Sequence, residues 1–110
     1  VIETRNARIK KASLFIEDHG LWTSYLHLEW ENSGQGFGGY RLHGEWMYQW
    51  VKNVCATVGV SRWEDLEGKH VRIKADYGKV HAIGHIIEDR WLNWSEHAKA
   101  LQAERKTQDE

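Results

Sequence analysis

The chain has 110 residues, a formal net charge of −1, 41% hydrophobic and 28% charged residues, one Cys and no Pro. That is the length of one domain, able to bury roughly 65% of the surface its unfolded form exposes. The near-neutral charge argues against a nucleic-acid duplex as partner, and the lone Cys55 excludes an intrachain disulfide and a Cys-based zinc site.

No stretch reaches ~18 apolar residues, and no basic-then-apolar leader is visible. The expectation is a chain that neither spans a membrane nor is secreted. Seven Trp are more than a core this small needs. At least two are expected in an interface or ligand pocket, where Trp often carries hot spots.

Residues 7 to 31 read as a β-hairpin. From Leu21 to Trp30 the alternation puts Trp22, Ser24, Leu26, Leu28 and Trp30 on one face, and Thr23, Tyr25, His27 and Glu29 on the other. Across Ala7 to Glu17 the pattern is weaker, with Ile9, Leu14, Phe15 and Ile16 strand-compatible. Asp18-His19-Gly20 is the turn. Residues 32 to 39 contain Gly34, Gly36, Gly38 and Gly39 and read as a loop, or a short bulged strand, before a strand through Tyr40 to Leu42.

From Glu45 to Val58 the period changes. Trp46, Trp50, Val54 and Val58 recur every four residues beside Met47, Val51 and Cys55, which predicts an amphipathic helix closed by Gly59. Ser61 and Glu64 match a capping box opening a helical turn from Arg62 to Leu66. Lys69 to Asp76 reads as a strand, Tyr77-Gly78 as a tight turn, and Lys79 to Ile87 as the returning strand, with Val80, Ala82, Gly84 and Ile86 on one face. Ser95 is expected to cap a C-terminal helix of thin apolar content that ends in a frayed tail. The order β-β-β-α-β-β-α predicts a single α+β domain over 1–110, with its core in 7–94. Its sheet is mostly antiparallel, of about five strands, with one main helix packed on it.

Three groups could carry chemistry. The glycine segment Gly36, Phe37, Gly38, Gly39, Tyr40 and Arg41 offers backbone N–H groups for an anion, rings for a base and a guanidinium for a phosphate. It lacks the context of a dinucleotide fold or P-loop, and a bulged strand explains the same glycines. Arg72 and Lys74 share a strand face, as phosphate ligands or as an ordinary solvated face. Arg90, Trp91 and Trp94 follow the last hairpin and add a cation and aromatic walls. His81 and His85 lie roughly 13 Å apart along a strand, too far to share a metal. No metal site and no cofactor is expected. Cys55 falls on the helix stripe as a packing residue, and no acid–base pair or nucleophile elbow appears, so the expectation is not an enzyme.

Several segments together resemble a group of small tailed-phage and prophage proteins. They are Ile16-Glu17-Asp18-His19-Gly20, Gly34-Gln35-Gly36-Phe37-Gly38-Gly39-Tyr40, Val58-Gly59-Val60, Trp63-Glu64-Asp65-Leu66, Gly68-Lys69-His70-Val71-Arg72 and Ile83 through Trp91. The resemblance covers residues 7 to 94. In size, layout and setting the group is similar to the Thoeris anti-defence sponge proteins, which hold a cyclic ADP-ribose-type signal without cleaving it. The resemblance implies a homo-oligomer in the host cytoplasm with a small anionic nucleotide as ligand. Gly36, Phe37, Gly38, Gly39, Tyr40, Arg41, Arg72, Lys74, Arg90 and Trp91 are its candidate contacts, chosen on their chemistry. That reading needs the bends around Phe37 and the cationic strand to enclose a hollow. A protein-binding inhibitor of a host defence complex is the alternative, with a flat aromatic patch. A single-stranded nucleic-acid binder is a third, which the net charge disfavours.

Overall fold

The computed structural model describes residues 1–42 and 44–108, with the backbone alone for 39–41 and 105–108. The chain is an α+β fold. Its antiparallel sheet has six strands in the order β3-β2-β1-β4-β5-β6, made of β1 (Glu3–Ile16), β2 (Trp22–Trp30), β3 (Ser33–Leu42), β4 (His70–Ala75), β5 (Val80–Gly84) and β6 (Trp91–Leu92). Helix α1 (Glu45–Val58) leaves β3 at one edge, crosses the inner face and returns the chain beside β1. Helix α2 (Trp94–Gln108) follows β6. No helix among the described residues is long and apolar enough to cross a membrane.

The alternation read in β2 holds from Ser24 to Leu28 and fails at its start, where Trp22 is exposed and Thr23 is buried beside a register shift. Leu26 and Leu28 are buried with Ser24, while His27 is exposed. In the core they join Ile9, Phe37, Val71, Ile73 and Ile83, and α1 lays Trp50, Val54 and Val58 onto them. The helix ends where Gly59 takes φ 94° and donates its N–H to the Cys55 carbonyl, as its position predicts.

Several boundaries differ from the sequence reading. The glycine segment is not a loop. It is the first part of β3, paired with β2 from Trp30↔Ser33 to Ser24↔Gly39. Burial of Phe37 on the inner face outweighs the poor strand propensity of the glycines. A sixth strand, β6, was unread because two residues carry no periodicity. Register shifts near Lys10 and between Val80 and Ala82 break the alternation, so Val80 faces the core, level with Ala75, while Ala82 and Gly84 stand level with Lys74 and Arg72. Ser61 caps nothing: the short 3-10 turn Trp63–Asp65 has no side-chain cap, and Glu64 pairs instead with Arg62. The cap of α2 is Asn93, not Ser95, with its Oδ1 accepting the Glu96 N–H at 3.1 Å.

Carboxylates hold two of the turns. Asp76 Oδ1 accepts the amides of Gly78 (2.9 Å) and Lys79 (3.0 Å), and its Oδ2 meets His81 Nε2 at 2.8 Å. Glu17 holds the β1–β2 turn through the His19 ring and the amides of His19 and Leu21. The bond to His81 and those amides hold Asp76 below the usual aspartate range, and the His19 ring lowers Glu17 first among its causes. A folded pKa below the unfolded one stabilises the fold above the ordinary carboxylate range and is lost as pH falls through the folded value. Thermal melts should therefore decline below about pH 4, and Asp76→Asn should remove part of that decline. A wild-type and Asp76→Asn pair with parallel acid profiles would contradict the assignment.

Candidate functional site

The outer face of the sheet follows from register, since residues level with each other in a ladder share a face. On β4, Arg72 and Lys74 stand level with Gly84 and Ala82 of β5, and Gly84 stands level with Trp91 of β6. The Trp91 ring lies across Gly84 so closely that a Cβ there would sit 2.6 Å from Cε3. Only glycine leaves room for the ring to lie flat. The guanidinium carbon of Arg72 is 4.8 Å from the ring centroid and Lys74 Nζ is 4.4 Å from it. Both distances are within cation–π range. The indole N–H donates to Asp89 Oδ1 at 3.0 Å, which fixes the ring's rotation.

Arg72 has a second duty. Its Nε donates to the His85 carbonyl (2.8 Å) and its Nη2 to the Glu88 carbonyl (2.7 Å). His85 Nδ1 accepts the amides of Ile87 (3.1 Å) and Glu88 (2.9 Å). An imidazole accepting at Nδ1 is the neutral form with its proton on Nε2. The β5–β6 turn is thus held from both sides, and Trp91 leaves it in a fixed direction. Neither Arg72 nor Lys74 has a carboxylate within ion-pair distance among the described residues. Two cations on one aromatic ring, with the Asp89 carboxylate at the ring's N–H edge and no ion pair to either cation among the described residues, form a patch suited to an anion.

Among the described residues the candidate contacts do not all meet in one place. Arg72, Lys74 and Trp91 converge as described. Arg90 belongs to the opposite side of β6: it pairs with Glu88 at 3.1 Å, and its Nη2 approaches Gly59 at the end of α1. Gly36 and Gly38 lie on the outer face of β3, beyond β2 and β1. Phe37 is 5% exposed and packs on Trp50 at 5.7 Å, so its ring is core and walls no hollow. The expected hollow needs Phe37 on the same side of the sheet as Arg72 and Lys74, and its ring lies in the core on the inner side instead. Gly39, Tyr40 and Arg41 lie outside the residues whose side chains are described. Trp94 is also core, edge-on to Trp50 at 5.1 Å. Sequence reasoning missed Gly84 and Asp89. A glycine inside an otherwise regular strand was the available signal for Gly84, and Asp89 left none.

Other chemistry is sparse. Among the described residues no cluster of His, Cys, Asp and Glu could hold a metal. Burial pushes the Cys55 thiol up, with Glu64 adding to it, the reverse of an activated nucleophile. A cavity of about 730 Å³ opens where β1 begins, lined by Glu3, Arg5, Trp30, Glu31, Gln35 and Asp76. Its Arg5 is already taken by Glu3 and Glu31, so it offers an anion little. No family model matches the chain, and neither does any curated protein or solved structure.

Proposed function

We propose that this domain binds and sequesters a small anionic nucleotide of the cyclic ADP-ribose type, without cleaving it. It would act in the host cytoplasm as a phage-type anti-defence protein. The observation that carries the reading is the Trp91 ring braced on Gly84 beneath Arg72 and Lys74, two cations without an acidic partner among the described residues. The two cations supply charge-assisted bonds to phosphate, and the ring that gathers them fixes where they stand. The patch is open on its outer side. Slow release requires a second wall, which a second copy of the chain supplies in this reading, making the working unit a homo-oligomer.

The test is capture and recovery. A cyclic ADP-ribose-type nucleotide incubated with the protein should leave solution and return intact on heat denaturation. Recovery of a cleaved product would instead make the protein an enzyme. Lys74→Ala should weaken capture by about tenfold or more and leave stability within about 0.5 kcal/mol, because Lys74 is an exposed strand residue. Undiminished capture by that variant would remove the patch from the account.

One observation favours a second reading, docking onto a host defence protein. Leu14, Phe15, Ile16 and Trp22 are exposed by 39 to 56% near the end of the β1–β2 hairpin. By register Leu14, Ile16 and Trp22 share one face of the hairpin, with Phe15 on the other, and exposed apolar side chains of this kind suit a protein partner. Recovery of one stoichiometric host protein, lost on Ile16→Glu, would move the function there.

A further inference from the structure

We propose that the outer face of the β1–β3 arm binds single-stranded nucleic acid, with a base laid along a lane of bare glycine backbone on β3. The lane is separate from the Trp91 patch, and the inference does not rest on the proposed function.

The glycines come first. Gly34, Gly36 and Gly38 stand level with Glu29, His27 and Tyr25 of β2, and all three are exposed on the outer face. A glycine inside a strand costs about 0.5–1 kcal/mol relative to alanine, so each needs a reason. Gly38 has a structural one: a Cβ there would sit 2.6 Å from Tyr25 Cβ and 2.8 Å from the Ser24 carbonyl oxygen. Gly36 and Gly34 have none. A Cβ at Gly36 would meet only the Leu26 carbonyl oxygen at 4.0 Å, and at Gly34 only that of Leu28 at 3.4 Å, both ordinary contact distances. Neither glycine has positive φ. The fold tolerates side chains at both positions, so their absence serves something that approaches the backbone from outside. What it leaves open is a shallow cavity of about 510 Å³, whose lining includes Lys10, His27, Glu29, Gly34 and Gly36.

The surroundings give the ligand's chemistry. His27 is exposed and meets Tyr25 edge-on at 4.7 Å, and Tyr25 meets Phe15 at 5.8 Å, so rings border the lane along β2 and β1. Lys11 stands level with His27 across the strand pair, and Lys10 lines the cavity itself. Two carboxylates face the region: Glu29 pairs with Arg8, and Glu31 lies 3.8 Å from Arg5, which it shares with Glu3. Lys10 and Lys11 have no such partner among the described residues. Rings for bases beside cations for phosphates are the means by which single strands are held without sequence reading. A duplex hides the base faces these rings require. The net charge of −1 describes the whole chain, and it does not set the local charge of a face that carries Lys10 and Lys11 without ion-pair partners among the described residues.

Fluorescence anisotropy with labelled oligo-rU and oligo-dT of about ten nucleotides, and a duplex of equal length, tests this. At about 50 mM salt the wild-type protein should bind the single strands and not the duplex. Its affinity should fall about sevenfold by about 200 mM salt, the response for two neutralised phosphates. Gly36→Val should fold with an unchanged or higher melting temperature and lose at least about tenfold in affinity, with Gly34→Val as the companion variant should the first fail to fold. Lys11→Ala should flatten the salt response. Lys74→Ala, which disables the Trp91 patch, should bind the strands normally, so the two sites fail independently. Saturable binding absent in the wild type, equal binding of the duplex, or full binding by a folded lane-filling variant overturns the proposal.

Discussion

Gly84→Val is expected to abolish nucleotide capture while leaving a folded protein of reduced stability. The native Trp91 ring occupies the space directly over Gly84, with three of its carbons 2.6 to 2.8 Å from where any Cβ would stand. Real Cβ atoms do not approach this closely, so the ring must swing away. The backbone has little freedom to yield instead, because Gly84 lies between β4 and β6 and is buried. Once the ring leaves, Arg72 and Lys74 lose the surface that gathers them at 4.8 and 4.4 Å, and the indole loses Asp89. Overpacking of this kind costs about 1–3 kcal/mol, which lowers the melting temperature by roughly 4–13 °C in a domain of this size. Tryptophan fluorescence should shift as Trp91 moves into water. The decisive readout is capture at a temperature where circular dichroism shows the variant folded. Wild-type capture by folded Gly84→Val would separate the ring from the function.

The same residues show how far the sequence could be read. Arg72 and Lys74 share a face by simple alternation, and β4 keeps that alternation because its neighbours pair it without a break through Lys74. Trp91 could not be added to them from the sequence, because the join depends on a two-residue strand folding back over Gly84. Arg90 illustrates the reverse: it neighbours Trp91 in the chain, and the pleat sends it to the other side. The register shifts at Lys10 and near Val80 were equally hidden, since an inserted residue changes which face a strand presents and leaves no mark on composition. The glycine segment left loop and strand both open for a physical reason. Its propensity is that of a loop, while its one large apolar side chain, Phe37, has a place in the core that only a strand at that position can fill. Helix α1 was legible because its apolar positions alone define which face must be buried.

Trp50→Ala is expected to be the most damaging single substitution in the fold. Trp50 is fully buried and stands between two other rings, Phe37 at 5.7 Å and Trp94 at 5.1 Å, so it joins β3 and α2 through α1. Its indole N–H donates to Ser24 Oγ at 2.8 Å, and the Ser24 hydroxyl donates in turn to the Ser13 carbonyl at 2.7 Å. The substitution empties the space of a large ring and leaves the buried hydroxyl short of a donor. Loss of a buried Trp costs about 3–5 kcal/mol, against a total stability of about 5–15 kcal/mol for such domains. The urea midpoint should fall accordingly with little change in slope. Trp50→Phe separates the two contributions, because it keeps most of the packing and removes the N–H, at a cost of about 1–2 kcal/mol. Ser24→Ala strands the indole N–H in the same way. Because both remove the same bond, the double variant Trp50→Phe with Ser24→Ala should cost less than the two single costs together. Strict additivity would mean that packing alone, and not the polar relay from helix to sheet, holds α1 in register over β2.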